Sequence, residues 1–275
     1  MMAGGDNLAS ELGEVLIVGG GKMGSGILAG LLSADAVSAA DVVVANPGAG
    51  KRERLTAEYG VRCVADASEF PEPDTCILAI KPQIMKDVLK DLADSGFSPK
   101  RIVSVAAGIK TSTICGFFPD VPVIRTMPNM PLIYGHGVTG ISPAEGTSDD
   151  EAQLVKRMFE CMGVAEVVDE SLQDAVVAVS GSGPAYFALM VEEIAEAGEE
   201  LGLDRDIALE LALHTMIGTG RFLEGSGKEP GQLVEDACTS GGTTTAAITA
   251  MRDGGIDQAI RDGVCAACER SKELS

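Results

Sequence analysis

Cations are scarce in this sequence: 21 Lys and Arg stand against 41 Asp and Glu, for a formal net charge of −20. Binding nucleic acid or an anionic membrane surface needs a basic face, so neither is an expected partner. An anionic ligand would have to be held by local backbone N–H groups and a few placed cations. No run of 18 or more apolar residues occurs, which predicts no membrane span. Residues 1–14 contain Asp6, Glu11 and Glu14 but no Lys or Arg. A secretory signal needs a basic start and an organelle transit peptide is Arg-rich, so the expected compartment is the cytoplasm. Histidine is nearly absent, with only His136 and His214. His214 sits in an apolar stretch and reads as a core residue; His136 lies in a glycine-rich loop and stays open as a functional group. The seven cysteines are irregularly spaced, and only Cys265 and Cys268 form a C-x-x-C, with no second pair to complete a zinc site. They read as packing residues, and no metal site is expected.

What is present falls into two rhythms. Short apolar runs at Val15–Val18, Val42–Ala45, Val61–Val64, Cys76–Ile80, Ile102–Val105 and Val123–Thr126 alternate with amphipathic stretches at Met23–Ser33, Lys51–Tyr59 and Ile84–Asp94. The runs are continuous rather than alternating, as strands buried on both faces of a parallel sheet are. Strand–helix repetition predicts an α/β fold with a doubly wound, Rossmann-like sheet over residues 1–168. A hairpin-like piece around Val138–Ser142 and a helix near Asp149–Cys161 close this half. After Val168 the β signal stops. Leu172–Ser180, Pro184–Leu201, Arg205–Leu223, Pro230–Cys238, Thr243–Arg252 and Ile256–Lys272 read as helices, giving an all-α second domain over 169–275. Apolar residues in Pro184–Leu201 and Arg205–Leu223 are too dense for one stripe. Burying them takes a partner surface, and a second copy of the chain is the simplest one.

Directly after the first strand, Gly19-Gly20-Gly21-Lys22-Met23-Gly24 satisfies G-x-G-x-x-G and opens a helix. Gly19 serves the tight turn, Gly21 lets the backbone approach a pyrophosphate, and Gly24 allows close helix–strand packing. With a strand before and a helix after, the motif predicts dinucleotide binding. An NAD-binding chain places a carboxylate at the end of the second strand to accept from the ribose 2′-OH. Here that place holds Asn46 and Pro47, followed by Lys51, Arg52 and Arg54. Neutral hydrogen bonding plus nearby cations suits a 2′-phosphate, so NADPH is expected, with NADH possible. Bland alternatives stand beside these readings: Lys51 and Arg52 can simply begin a solvated helix face. Ala79-Ile80-Lys81-Pro82 and Ala106-Ala107-Gly108 follow the fourth and fifth strands, at the sheet edge where open α/β sheets bind ligands. Lys81 supplies a charge near the cofactor or merely faces solvent. Asn129, held between Pro128 and Pro131, bonds the nicotinamide amide or only a turn.

Two glycine-rich stretches interrupt the helical half: Ser180-Gly181-Ser182-Gly183-Pro184-Ala185-Tyr186 and Thr239-Ser240-Gly241-Gly242-Thr243-Thr244-Thr245. The second leads into a helix. N–H groups of Gly242 and Thr243 with the hydroxyls of Thr239 and Thr244 form either an anion nest or a capped turn between helices. The order of G-x-G-x-x-G, A-I-K-P, A-A-G, S-G-S-G-P-A-Y and P-G-Q-L with a Gly-Gly-Thr loop resembles pyrroline-5-carboxylate reductase from Val15 onward. Ser240 and Thr243 stand where relatives often carry Pro and Ala. The resemblance implies reduction of 1-pyrroline-5-carboxylate to L-proline, the last step of proline biosynthesis. It implies a Rossmann domain contacting NADPH through Gly19 to Gly24, Asn46, the Ala79 to Pro82 loop and Ala106 to Gly108. It further implies substrate held by Thr239, Gly242, Thr243 and Thr244, and a homodimer assembling into a ring. Thr244 is the expected catalytic hydroxyl. A hydroxyacid dehydrogenase of similar layout needs a lysine on its long interdomain helix, and none lies between Lys156 and Lys228. A cofactor-binding sensor without turnover is the other alternative.

Overall fold

In a computed structural model, which describes residues 5–274, eight strands form one sheet in the order β3-β2-β1-β4-β5-β6-β7-β8. They are β1 Val15–Val18, β2 Val42–Ala45, β3 Arg62–Val64, β4 Thr75–Leu78, β5 Arg101–Ser104, β6 Val123–Pro128, β7 Gly137–Pro143 and β8 Gly163–Val167. The first six run parallel; β7 is antiparallel to β6, and β8 is parallel to β7. Every residue of β1, β2, β4 and β5 is buried. That accounts for their unbroken apolar sequence, since both faces of the sheet are covered.

Helices α1 Gly5–Leu12, α2 Lys22–Ser33, α3 Ala49–Tyr59, α4 Pro82–Asp94, α5 Thr111–Cys115 and α6 Asp149–Glu160 connect the strands. Proline opens α4, where its missing N–H costs nothing, and Met85, Leu89 and Leu92 recur at helical spacing to face the core. Ser148 caps α6 by accepting from the Glu151 N–H, with Asp149 to Glu151 in the first turn and Arg157 in the last. One core cluster joins Ile17, Ile27, Leu31 and Phe159 on one face of the sheet. A second joins Leu16, Leu78, Leu89 and Ile102 on the other.

Three expectations need correction here. The Val138–Ser142 segment is one strand, β7, antiparallel to β6, rather than a hairpin in itself. Strand β8 was not expected, because it exposes most of its residues and buries Ala165 alone, leaving no apolar run to read. The fourth strand stops at Leu78, so Ala79 and Ile80 already belong to the loop.

All described residues beyond Leu172 that carry regular structure are helical: α7 Gln173–Val176, α8 Gly183–Glu200, α9 Arg205–Ser226, α10 Pro230–Ala237, α11 Thr243–Asp253 and α12 Ile256–Glu273. A π-turn at Val177–Gly181 joins α7 to α8, so the helix expected to end at Ser180 continues through Glu170–Glu200. At 31 residues that segment is long and apolar enough, by length and composition alone, to cross a membrane. Its apolar run is broken by Ser180, Gly181, Ser182, Gly183 and Pro184, which is why no run of 18 apolar residues appears in the sequence.

Two compact units emerge. The first ends at Ser182 and also takes in the chain from Ala267; the second is Gly183–Ala266. Within the second, Val191 and Ala195 of α8 pack on Ala208 and Ala212 of α9. The same helices leave Phe187, Leu189, Ile194, Ile207 and Leu211 more than half exposed. His214 is exposed too, beside Glu210 at 3.2 Å. The core placement expected for it fails because the buried stripe of α9 is only Ala208 and Ala212.

Candidate functional site

The carboxyl ends of β1, β2 and β4 converge on the glycine loop. Gly19 donates its N–H to the Ala45 carbonyl at 2.8 Å and takes φ +106°, which an L side chain rarely adopts. A Cβ on Gly24 would lie 2.0 Å from the Gly19 carbonyl oxygen, so the first turn of α2 can approach β1 only with glycine there. Gly21 differs: a Cβ there would meet no protein atom within 4 Å. It is the N-cap of α2, and no side chain caps that end. The first-turn N–H groups of α2 therefore point into open space with the positive end of the helix dipole behind them. This cradle fits a pyrophosphate.

Asn46 organises the neighbouring edge. Its Oδ1 accepts from the Gly20 N–H at 3.3 Å and its Nδ2 donates to the Gly48 carbonyl at 3.4 Å. Arg52 donates Nη1 to the Asn46 and Pro47 carbonyls at 2.8 and 2.7 Å, which fixes its guanidinium at the end of β2. Lys51 has its Cδ 3.4 Å from where a Gly20 Cβ would stand. Of the expected cations, Arg52 braces the strand end and Lys51 lies beside the glycine loop. Lys22 and Lys81 are exposed, Met23 and Pro82 half-buried. Ala106 and Gly108 are buried and Ala107 is exposed, in the loop after β5. Lys81 is the N-cap of α4 and Pro82 its first residue.

Asn129 is placed differently from expectation. It is buried, its Nδ2 donates to the Ser180 carbonyl at 2.9 Å, and its Oδ1 accepts from the Val138 N–H at 2.9 Å. Each end of the carboxamide thus makes one hydrogen bond to the protein's own backbone.

In the second unit, Gly241 adopts φ +73° and turns the chain into α11. Gly242 is the N-cap of that helix, but its N–H is already given to the Thr239 carbonyl at 2.9 Å. The N–H groups left without an intrahelical acceptor are therefore those of Thr243, Thr244 and Thr245, one residue later than expected. Thr245, which the sequence did not single out, ties the bend by donating its hydroxyl to the Thr239 carbonyl at 2.6 Å. A groove of about 410 Å³ runs along α11, bounded by Gly241, Gly242 and Thr245 at one end and Asp253 at the other. Thr239, Thr243 and Thr244 are exposed and do not line it.

Other features do not compete as a site. A cavity of about 370 Å³ bounded by Gly30, Tyr134 and Met162 lies at the carbonyl end of α2, which disfavours an anion. No cluster of three or more His, Cys, Asp or Glu suited to a metal exists among the described residues. All seven cysteines carry free thiols, and burial pushes that of Cys76 far up, as for an inert core residue.

Comparison with known proteins gives a consistent picture. Residues 170–274 match the family model described as pyrroline-5-carboxylate reductase dimerisation, and residues 14–108 match that of NADP oxidoreductase, coenzyme F420-dependent. The pyrroline-5-carboxylate reductase of Synechocystis is 38% identical over 94% of this chain and 97% of its own length. That of Pseudomonas aeruginosa is 34% identical over 95% of this chain and 97% of its own. Among solved structures, a pyrroline-5-carboxylate reductase from Coxiella burnetii superposes with a TM-score of 0.89 at 29% identity, covering 96% of this chain and 99% of that one.

Proposed function

The chain belongs to the pyrroline-5-carboxylate reductase family, and we propose that it reduces 1-pyrroline-5-carboxylate to L-proline with NADPH. The observation that carries this is the glycine cradle at the start of α2, where a Cβ on Gly21 would meet no protein atom within 4 Å, together with the uncapped start of α11 behind Gly242. One suits a dinucleotide pyrophosphate and the other the carboxylate of a small acid. NADPH, when bound, supplies the hydride that reduces the imine carbon. Everything else falls to the protein's own groups.

The α2 cradle holds the pyrophosphate, with Asn46 and Lys51 beside the 2′-phosphate and the Ala79–Pro82 and Ala106–Gly108 loops bordering the reducing end. The Thr243 to Thr245 N–H groups seat the substrate carboxylate, and the Thr244 hydroxyl hydrogen-bonds the ring nitrogen. An imine can be protonated before reduction, and the resulting iminium is already electrophilic. No strong general acid is therefore needed, and placement with charge complementarity supplies the acceleration. The functional division falls near 168/169, where the all-helical substrate and dimerisation part begins.

The exposed apolar faces of α8 and α9 belong, on this reading, against a second copy. That accounts for a helix apolar enough for a membrane without invoking one. Dimers so formed are proposed to assemble into a ring in the cytoplasm. A solution mass equal to a single chain at micromolar concentration contradicts this arrangement.

The direct test adds pyrroline-5-carboxylate to the protein with each cofactor in turn. NADPH is oxidised with proline formed in equal amount, and NADH is used less well. Asn46→Asp keeps the acceptor for the Gly20 N–H but sets a carboxylate against the 2′-phosphate. Its NADPH-over-NADH preference in kcat/KM falls by roughly tenfold or more. No turnover with either cofactor supports a sensor instead, and an unmoved preference removes Asn46 from cofactor selection.

A further inference from the structure

The S-G-S-G-P stretch is not explained by either ligand cradle. It lies in the continuous helix Glu170–Glu200, where glycine and proline are both unfavourable. The backbone there forms a π-turn, with the Ser182 N–H reaching back five residues to the Val177 carbonyl at 2.8 Å. Such turns recur at functional sites because they release backbone groups from the regular ladder. Here the released group is identifiable. In a regular helix the Ser180 carbonyl accepts from the residue four further on, which is Pro184, and proline has no N–H to give. The replacement donor is Asn129 Nδ2, at 2.9 Å, from the residue that immediately follows β6. The other end of the same carboxamide is fixed by the Val138 N–H at the start of β7. Gly181 completes the fit, since a Cβ there would stand 3.2 Å from the Met127 methyl of β6.

Strands β5 and β6 are neighbours, and β5 leads into the Ala106–Gly108 loop. The π-turn is thus pinned to the sheet edge that carries one of the cofactor loops. We propose that Asn129 is a positioning residue for the reaction: its carboxamide supplies the hydrogen bond that Pro184 withholds from Ser180, and so holds the π-turn at Val177–Gly181 on the carboxyl end of β6. This rests on the reductase reading for its kinetic consequence, but not for its structural one.

Four proteins test it: wild type, Asn129→Asp, Pro184→Ala and the double variant. Asn129→Asp keeps the acceptor used by Val138 and deletes the donor used by Ser180. Its thermal midpoint without ligand falls, and kcat with the imine falls by roughly tenfold, the scale of one buried hydrogen bond. NADPH affinity, read by quenching of cofactor fluorescence, stays within about twofold, because the side chain does not touch the cofactor. Pro184→Ala returns a helical N–H to Ser180. In the double variant that substitution therefore restores most of the lost midpoint and kcat, a non-additive result.

Strictly additive effects overturn the proposal. So does NADPH affinity that weakens in step with kcat, since that makes Asn129 a cofactor contact. If Asn129→Asp does not fold, Asn129→Ala crossed with Pro184→Ala decides by the same non-additivity. Should wild type fail to reduce the imine, the reductase reading falls, while the thermal-midpoint cycle still settles whether the clamp exists.

Discussion

Thr244→Ala lowers kcat/KM for pyrroline-5-carboxylate by roughly ten- to a thousandfold, with NADPH affinity unchanged. The size follows from the loss of one polarising hydrogen bond to the ring nitrogen as charge redistributes in the transition state. The bend itself explains why Thr244 is the residue to change. Thr245 spends its hydroxyl on the Thr239 carbonyl at 2.6 Å, and the Gly242 N–H is spent on the same oxygen at 2.9 Å. Thr244 is exposed in the first turn of α11, and no side chain caps that helix end. The opposing account makes its hydroxyl a helix cap, and a cap variant would lose about 1 kcal/mol of stability while keeping its kinetics. Steady-state kinetics beside a thermal melt separate the two. Thr244→Ser, which keeps the hydroxyl, recovers most of the rate if the hydrogen bond is the cause, and full activity in Thr244→Ala removes the role.

Gly21→Ala is expected to weaken NADPH binding by roughly a hundredfold, or about 2.7 kcal/mol, while the ligand-free protein melts nearly as wild type does. The prediction turns on a contrast within one motif. At Gly24 a methyl would stand 2.0 Å from the Gly19 carbonyl oxygen, so Gly24→Ala harms the fold itself. At Gly21 the backbone is ordinary, φ −72° and ψ −172°, and a Cβ meets no protein atom within 4 Å. Alanine is therefore accepted by the folded chain, and only a ligand can object to it. The cost is that of one or two charge-assisted hydrogen bonds from α2 that the methyl keeps at a distance, each worth about 1.5–3 kcal/mol. Isothermal titration with a melt of the unliganded variant checks both halves. Unchanged affinity would mean that the pyrophosphate does not lie on this loop.

Strands β1 and β2 could be read to the residue because burial on both faces leaves nothing but apolar side chains. An edge strand carries no such mark: β8 needs only Ala165 inside, so its sequence resembles a loop. Helix α1 leaves only a short signal, eight residues, with Leu8 and Leu12 buried among those described. The glycine cradle was legible because a phosphate-facing turn restricts residue type at fixed spacing. Hydrogen bonds that close over long sequence distances were not. Nothing near Asn129 marks Ser180 as its partner, 51 residues away. Nor does the spacing of the 239–245 bend say that Gly242 spends its N–H inside the turn. The lone signal for the Asn129 clamp was Pro184 itself, a proline four residues after a serine in a helical stretch, which leaves a carbonyl without its usual donor. His214 was misread because an apolar helix was taken to be buried all round. In this chain α9 keeps most of its apolar side chains outside.

A crystal of the protein with NADP⁺ and a saturated proline-like acid tests the central claim most directly. The account places the acid's carboxylate within hydrogen-bond reach of the Thr243, Thr244 and Thr245 N–H groups. An acid seated away from the start of α11, with the dinucleotide in place, would contradict it.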